Sequence, residues 1–263
     1  MKKSNLVSII LPVHNSAKNL EECLKSLVSQ THRTIEIIVI DDQSSDESFK
    51  ILKKFNKKYP PAGRQGKKVR AYRNVKRYGI VMTLNRALKK AKGEFIAFMD
   101  SDDFTHKNRL KEQLKFLNLN QNVVACGTQC YFVNRKGVRR GKSSFPLLNS
   151  DIYSSPLHGL SMQFETVMIN RKLLPKDILK FDSSASPFIY SDFLIKLLPY
   201  GKFANTSKTL HYHRNNPKTY LRDLQKNIFS FIRLVLRSRE LHDYQKAHRL
   251  VFNSLIRPSI NLF

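Results

Sequence analysis

The chain has 263 residues, 41% of them hydrophobic, with 47 Lys and Arg against 20 Asp and Glu and a formal net charge of +27. It is too apolar for a disordered protein, and 9 Gly and 10 Pro are too few for a fibrous one. No run of eighteen apolar residues occurs, so no membrane-spanning helix is expected, and the charge first suggests a polyanionic partner.

Residues 6–13 form a continuous apolar run, the pattern of a strand buried on both faces. Met1, Lys2 and Lys3 lend it a faint likeness to a signal peptide, but the run is short, contains Pro12 and lacks a small-residue cleavage site. Leu20, Cys23, Leu24, Leu27 and Val28 follow at helical spacing, and residues 35–40 repeat the buried-strand pattern. Phe49, Ile51, Leu52 and Phe55 predict a second helix, begun by the capping region Ser44-Ser45-Asp46-Glu47. Pro60, Pro61, Gly63 and Gly66 predict a solvated loop, and residues 69–73 a short third strand. Ile80, Val81, Leu84, Ala87, Leu88 and Ala91 form an amphipathic helix with Gly93 in the place of its C-terminal cap. A fourth strand is expected over 95–99, and Leu110, Leu114 and Leu117 mark another helix. This alternation means βαβ units and a mostly parallel sheet.

The second half is less regular. Strands are expected over 123–133 and 164–169, a helix over 192–198 and an edge strand over 208–213. From Tyr220 onward Leu221, Leu224, Ile228, Ile232 and Val235 repeat helically, with several Arg between them.

The charge is uneven. Residues 48–93 carry 16 Lys and Arg and no acid, and residues 200–263 carry 12 against three acids. A nucleic-acid site would interleave aromatics with these charges or present a recognition helix, and only Tyr72 and Tyr78 lie near, so no specific nucleic acid is expected. Cys23, Cys126 and Cys130 are an odd number without metal-ligand spacing and read as reduced thiols of a cytoplasmic protein.

Ligands of open α/β sheets bind beyond the carboxyl ends of the strands. Here the second strand runs into Asp41-Asp42 and the fourth into Asp100-Ser101-Asp102-Asp103. Acids emptied into one crevice call for a cation, and a divalent metal with oxygen ligands commonly holds substrate phosphates. Neither a Gly-x-Gly-x-x-Gly turn nor a Walker A sequence is present, so phosphates would be held by metal and by basic side chains, with Arg73, Lys76 and Arg77 as candidates. Taken alone, an Asp-x-Asp after a strand is as well explained by helix capping.

Five stretches in unbroken order decide the matter: Val7-Ser-Ile-Ile-Leu-Pro-Val-His-Asn15, Leu24-Lys-Ser-Leu-Val-Ser-Gln-Thr31, Glu36-Ile-Ile-Val-Ile-Asp-Asp-Gln-Ser-Ser-Asp46, Asn85-Arg-Ala-Leu-Lys-Lys-Ala-Lys-Gly-Glu-Phe-Ile-Ala-Phe-Met-Asp-Ser-Asp-Asp103 and Arg109-Leu110. Over residues 6 to about 118 the chain resembles glycosyltransferase family 2, inverting nucleotide-sugar transferases of GT-A fold. The resemblance implies an α/β, Rossmann-like, mostly parallel sheet flanked by helices. A GT-A domain over 1–215 would divide into a nucleotide-sugar half (1–118) and an acceptor half (119–215), followed by a basic amphipathic helical tail over 216–263.

The resemblance also implies roles. Pro12, Val13 and Asn15 would line the nucleotide pocket, with Asp42 bonding the base, typically uracil, and Asp41 beside it. Asp100 and Ser101 would face the ribose or sugar, Asp102 and Asp100 would bind Mg²⁺ or Mn²⁺, and Arg73 would meet the phosphates. Ser191-Asp192 ahead of an apolar helix aligns Asp192 with the catalytic base, although Ser191 stands where a Glu is customary and Gln43 where a Gly is. The alternative for Asp192 is an N-terminal cap for that helix, and both roles can hold together. Glu165 is a fallback acceptor-side acid or a structural one. His211 and His213 share one strand face by period two, which suits a metal but also an edge-strand surface pair.

The expected reaction is inverting transfer of a sugar, from a UDP-sugar for preference, to a hydroxyl of a cell-surface glycan or lipid-linked saccharide. Two competitors remain: a basic membrane- or polyanion-binding protein on a transferase scaffold, and a phosphatase of the haloacid-dehalogenase type. The latter would want its Asp-x-Asp at the N-terminus. Residues 228–237, apolar and basic, suit an anionic membrane surface as well as packing on the domain, so attachment to the inner face of the membrane is an added expectation.

Overall fold

The computed structural model describes residues 5–60, 67–154, 156–214, 226–242 and Tyr244. Strand β1 (Val7–Val13) lies between β2 (Ile35–Asp41) and β4 (Phe95–Phe98), with β3 (Lys67–Arg73) beyond β2, all four parallel. The strands in the middle of this set are mostly apolar and buried at nearly every position because both of their faces are covered. Side chains of odd number, such as Ile9, Leu11, Ile37 and Val39, pack against helices α1 (Ala17–Val28), α2 (Ser48–Lys58) and α4 (Arg109–Leu119). Those of even number, such as Ile10, Ile38 and Ile40, meet α3 (Ile80–Lys90) on the other face. The strand period of two thus sorts one hydrophobic run into two cores.

Two devices secure the ends of these elements. Asp46 accepts from the backbone N–H of Ala17 (2.9 Å) and of Ser48 (3.0 Å), so one carboxylate serves the first turns of both α1 and α2. Glu36, buried on β2, accepts from Ser8 Oγ (2.6 Å) and the N–H of Lys92 (2.7 Å), which draws the chain entering β4 against β1. Gly93 belongs to that approach and is not the expected helix cap. A Cβ there would stand 2.7 Å from the Leu6 carbonyl oxygen and from Ser8 N, and α3 has already ended at Lys90.

The rest of the sheet is mixed. Its elements are β5 (Phe104–Thr105), β6 (Val123–Val133), β7 (Arg139–Lys142), α5 (Asn149–Ser154), β8 (Met168–Asn170), α6 (Ile189–Leu197), β9 (Lys202–His213) and α7 (Ile228–His242). The strand order is β3-β2-β1-β4-β8-β6-β9-β5, with β7 also on β6. Strand β8 runs antiparallel to both β4 and β6, and β9 is parallel to β6.

Three expectations change here. The strand expected from residue 164 opens instead with a 3₁₀ turn, Phe164–Thr166, because Thr166 bonds back to the Gln163 carbonyl through both its N–H and its hydroxyl. The segment expected as an edge strand ends up inside the sheet, between β6 and β5, which buries His211. Helix α6 begins three residues earlier than expected. The tail packs on the domain through Phe231 and Leu234 of α7, which join the core shared by α3 and α6. Leu221 and Leu224 lie outside the described residues.

One carboxylate fixes the loop that closes the C-terminal end of β2. Asp42 continues the ladder, its N–H bonding the Val13 carbonyl (2.7 Å). Its oxygens accept from Asn74 Nδ2 (2.6 Å) and the N–H groups of Tyr78 (2.8 Å) and Gly79 (2.7 Å). Burial opposes its charge, but the donors of Tyr78, Asn74 and Gly79 outweigh that and hold the carboxyl below its ordinary value. Such a group contributes stability above its unfolded pKa, near pH ~4, which is lost as pH falls through the folded value. Asp42→Asn sets an amide N–H₂ against a backbone donor and should cost about 1–3 kcal/mol at pH 7. Urea titrations of both proteins from pH 7 downward should show the gap holding to about pH 4 and then narrowing; a gap independent of pH would refute this role.

Candidate active site

The carboxyl ends of β1, β2 and β4 open into one cleft of about 300 Å³. Its floor is Pro12 and Val13 at the end of β1 with His14 after it, Asp42 after β2, and Met99, Asp100 and Ser101 after β4. One wall is the loop and first turns of α3, with Arg77, Gly79, Ile80 and Thr83. The facing wall comes from the second half of the chain: Phe164 and Glu165 of the 3₁₀ turn and Tyr190 of α6. Phe164 and Tyr190 stack with centroids 4.6 Å apart, giving that wall a rigid aromatic surface.

The residues expected at the nucleotide divide into two groups. Pro12, Val13, Asp42, Asp100 and Ser101 line the cleft. Asn15, Asp41 and Arg73 do not, and each is engaged behind it. Asn15 adopts a positive φ of 49° and joins the first two βα turns, its Oδ1 accepting from the Ser45 N–H (2.8 Å). Asp41 is buried and pairs with Arg73 Nε (3.1 Å), whose other arm bonds the Ser44 carbonyl (2.7 Å). Arg73 therefore braces the β2–α2 turn, and the cation at the cleft is Arg77.

The acids after β4 have three different settings. Asp100 is half-buried, and its carboxyl is raised to about 7, first by burial and then by the charges of Asp103 and Glu165. Asp102 is exposed beside the cleft, with Asn19 Nδ2 at 3.3 Å from its carboxylate. Asp103 is buried: Oδ2 stands 2.9 Å from both His211 Nε2 and His213 Nδ1, and Oδ1 accepts from the N–H of Arg214 (2.7 Å). Burial works against its charge, but His213 and His211 hold the carboxyl far below its ordinary value. Burial likewise pulls His213 down, and Asp103 overrides it to bring the imidazole to about 9.

Ligand atoms of Asp103, His211 and His213 all lie within 4.8 Å of one another, a spacing that suits a metal ion. His211 Nδ1 is buried with no partner among the described residues. Arg109 is buried as well, its NH2 bonding the Phe98 carbonyl (2.9 Å) and so steadying the strand end that carries the acids.

Asp192, expected as the base, is 1% exposed and does not line the cleft. It is not the helix cap, which is Phe188, but it lies in the first turn of α6. Its Oδ1 accepts from Arg237 Nε (3.0 Å) and stands 3.4 Å from His242 Nε2, both on α7. Tyr190 faces the cleft, and residues two apart on an α-helix point about 200° apart, so Asp192 turns away. The sequence does not show which face of α6 meets the cleft, and so could not separate Tyr190 from the residue two positions on. The pairing of Asp103 with β9 and the docking of Arg237 had no local signal either.

The model of the family described as "Glycosyl transferase family 2" matches residues 8–177. A "Poly(ribitol-phosphate) beta-glucosyltransferase" of Bacillus spizizenii is 38% identical over 148 residues, which cover 56% of this chain and 22% of that protein. The chain likewise spans 48% of the putative glycosyltransferase EpsE of Bacillus subtilis. Among solved structures, Staphylococcus aureus TarS with UDP superimposes with a TM-score of 0.68 at 24% identity, over 92% of this chain and 68% of that one. The mannosyltransferase PcManGT of Pyrobaculum calidifontis, with GDP-Man and Mn²⁺, gives 0.66 at 17% identity, over 98% and 77%. With the sheet order, the acid-lined cleft and a family match over more than half of its length, the chain belongs to glycosyl transferase family 2 and has the GT-A fold.

Proposed function

We propose that the chain transfers a sugar, with inversion, from a nucleotide-diphosphate sugar to an acceptor hydroxyl. The observation that carries this is the cleft itself, where Asp42 and Asp100 from two strand ends face an aromatic wall across about 300 Å³. Asp42 positions the base: its Oδ2 has one donor, Gly79, and keeps a lone pair for a ring N–H such as that of uracil. Pro12, Val13 and His14 close against the nucleoside, and Arg77 offers the diphosphate a cation.

The acids fit a hard divalent ion. Asp102 is exposed and lightly bonded, and Asp100 carries the unbalanced charge of its neighbours. Asp102 and Asp100 would hold Mg²⁺ or Mn²⁺, with the Asp103, His211 and His213 group beside them as an alternative seat. Bound there, the ion would offset the charge of the departing diphosphate. The donor is proposed as a UDP-sugar and the acceptor as a cell-surface or lipid-linked saccharide, in keeping with the glucosyltransferase relative and the UDP-bound neighbour. Melting curves with UDP, GDP and TDP, each with and without Mn²⁺, test the reading. A metal-dependent rise with one nucleotide is expected, and no rise with any of them would leave the basic-scaffold alternative standing.

A second surface favours a membrane as partner. No described helix is long and apolar enough to cross a bilayer. Yet α7 turns Phe229 (85% exposed), Ile232 and Leu236 outward, between the exposed Arg233 and Arg239. An apolar stripe flanked by cations suits an anionic interface. The protein should float with phosphatidylglycerol vesicles, and the double variant Phe229→Ser, Leu236→Ser should stay at the bottom of the gradient. Equal flotation of the two would exclude this face.

A further inference from the structure

Given that transfer reaction, a general base takes the proton of the acceptor hydroxyl, and the geometry points to the carboxylate of Glu165 rather than to Asp192. Three carboxylates line the cleft among the described residues: Asp42, Asp100 and Glu165. Asp42 is committed to three donors of its own loop. Asp100 stands on the nucleotide side, among Asp102 and Asp103, with its Oδ1 taken by the N–H of Asp102 (3.2 Å). Glu165 comes from the other half of the chain. The antiparallel register of β4 and β8 sets Ala97 opposite Met168, and the chain leading into β8 continues past the end of β4. That brings Glu165 across from Asp100, close enough for its charge to act on that carboxyl.

The side chain is held for one task. It is 7% exposed, Oε2 accepts from Gln163 Nε2 (2.7 Å), and no other hydrogen bond to it occurs among the described residues. Gln163 in turn stands 3.3 Å from His213 Nε2, so the orientation of Glu165 is set through the Asp103–His213 pair. The stacked rings of Phe164 and Tyr190 line the cleft with Glu165 and limit water there, and Oε1, to which no hydrogen bond runs among the described residues, is left as the proton acceptor. By contrast, the Oδ1 of Asp192 is spent on Arg237 and His242.

The step balances with these groups. The acceptor oxygen attacks the anomeric carbon as Glu165 takes its proton. The bond from that carbon to the diphosphate oxygen breaks, and the electron pair leaves with the nucleoside diphosphate. The proton on Glu165 then passes to solvent.

Water replaces the unidentified acceptor in the test: UDP release from UDP-glucose and UDP-N-acetylglucosamine with Mn²⁺, read beside the UDP-induced melting shift. Glu165→Gln, nearly isosteric and still able to meet Gln163, should keep the shift and lose about 10²-fold or more of the hydrolysis rate. Glu165→Asp, with the carboxylate retained but drawn back, should recover part of that loss. Hydrolysis within a few-fold of wild type in Glu165→Gln overturns the assignment, as does loss of the UDP shift in that variant, which would make Glu165 a binding residue. Hydrolysis lost in Asp192→Asn and kept in Glu165→Gln overturns it in favour of Asp192. Absence of both UDP release and the melting shift in the wild type would instead defeat the UDP-sugar reading beneath it, and absence of a shift with GDP and TDP as well would defeat the transferase reading.

Discussion

The buried carboxylate of Asp103 joins the two halves of this molecule. It stands just past β4, in the first half of the chain, and each of its side-chain contacts among the described residues comes from the end of β9, in the second: His211, His213 and the N–H of Arg214. The next bonds extend the same seam. Arg214 donates to the Asp102 carbonyl (2.6 Å) and pairs with Glu22 of α1, and its guanidinium lies 5.0 Å from the Phe104 ring centroid. Phe104 stacks on Tyr212 at 4.4 Å, and β5 pairs with β9 along the same line. A charge buried this deeply is tolerated only when paired and hydrogen-bonded, so the acids after β4 can assume their arrangement only once β9 is in place. The cleft is thus a product of the whole sheet, although most of its floor comes from the first hundred residues.

The same seam explains how a protein of such basic composition keeps an acidic site. Most Lys and Arg among the described residues are exposed, on helices, strands and loops alike, where water solvates each charge and screening limits their mutual repulsion. The acids are gathered at strand ends, where burial magnifies their interaction, and Asp100 shows the consequence in its raised carboxyl. Net charge therefore describes the surface, and the chemistry of the cleft is set by a few carboxylates of the opposite sign.

The first half of the fold was legible in the sequence because its information is local. Unbroken apolar runs mark strands covered on both faces, and β1, β2 and β4 lie where those runs lie. Asp42, Asp100 and Ser101 follow directly from the strand ends. Arg73 was misplaced because a cation after a strand can point along the sheet or back under the turn, and the buried Asp41 beside it decides for the turn. The second half depends on partners far apart in the chain. Lys208 to His213 alternates as an edge strand does, yet β5 covers its outer side from a hundred residues away and removes His211 from solvent. Asp192 sits at an apolar helix, where family likeness and capping rules both lead to a site residue, and only the rotation of α6 about its axis shows which way it faces.

That rotation is held from outside the cleft. Arg237 of α7 bonds Asp192 on α6, Asp182 (2.5 Å) and the Ser184 hydroxyl (2.9 Å), so one guanidinium spans both ends of the segment that carries Tyr190 and follows Phe181. Phe181 packs edge-on to Tyr190 at 6.1 Å, and Phe231 and Leu234 of α7 enter the same core. Stripping the cation from such a cluster leaves a buried carboxylate unpaired, which costs more than the pair itself contributes. Docking of the tail and placement of the aromatic wall are therefore one event, and the shape of that wall depends on a helix that contributes no described residue to the cleft.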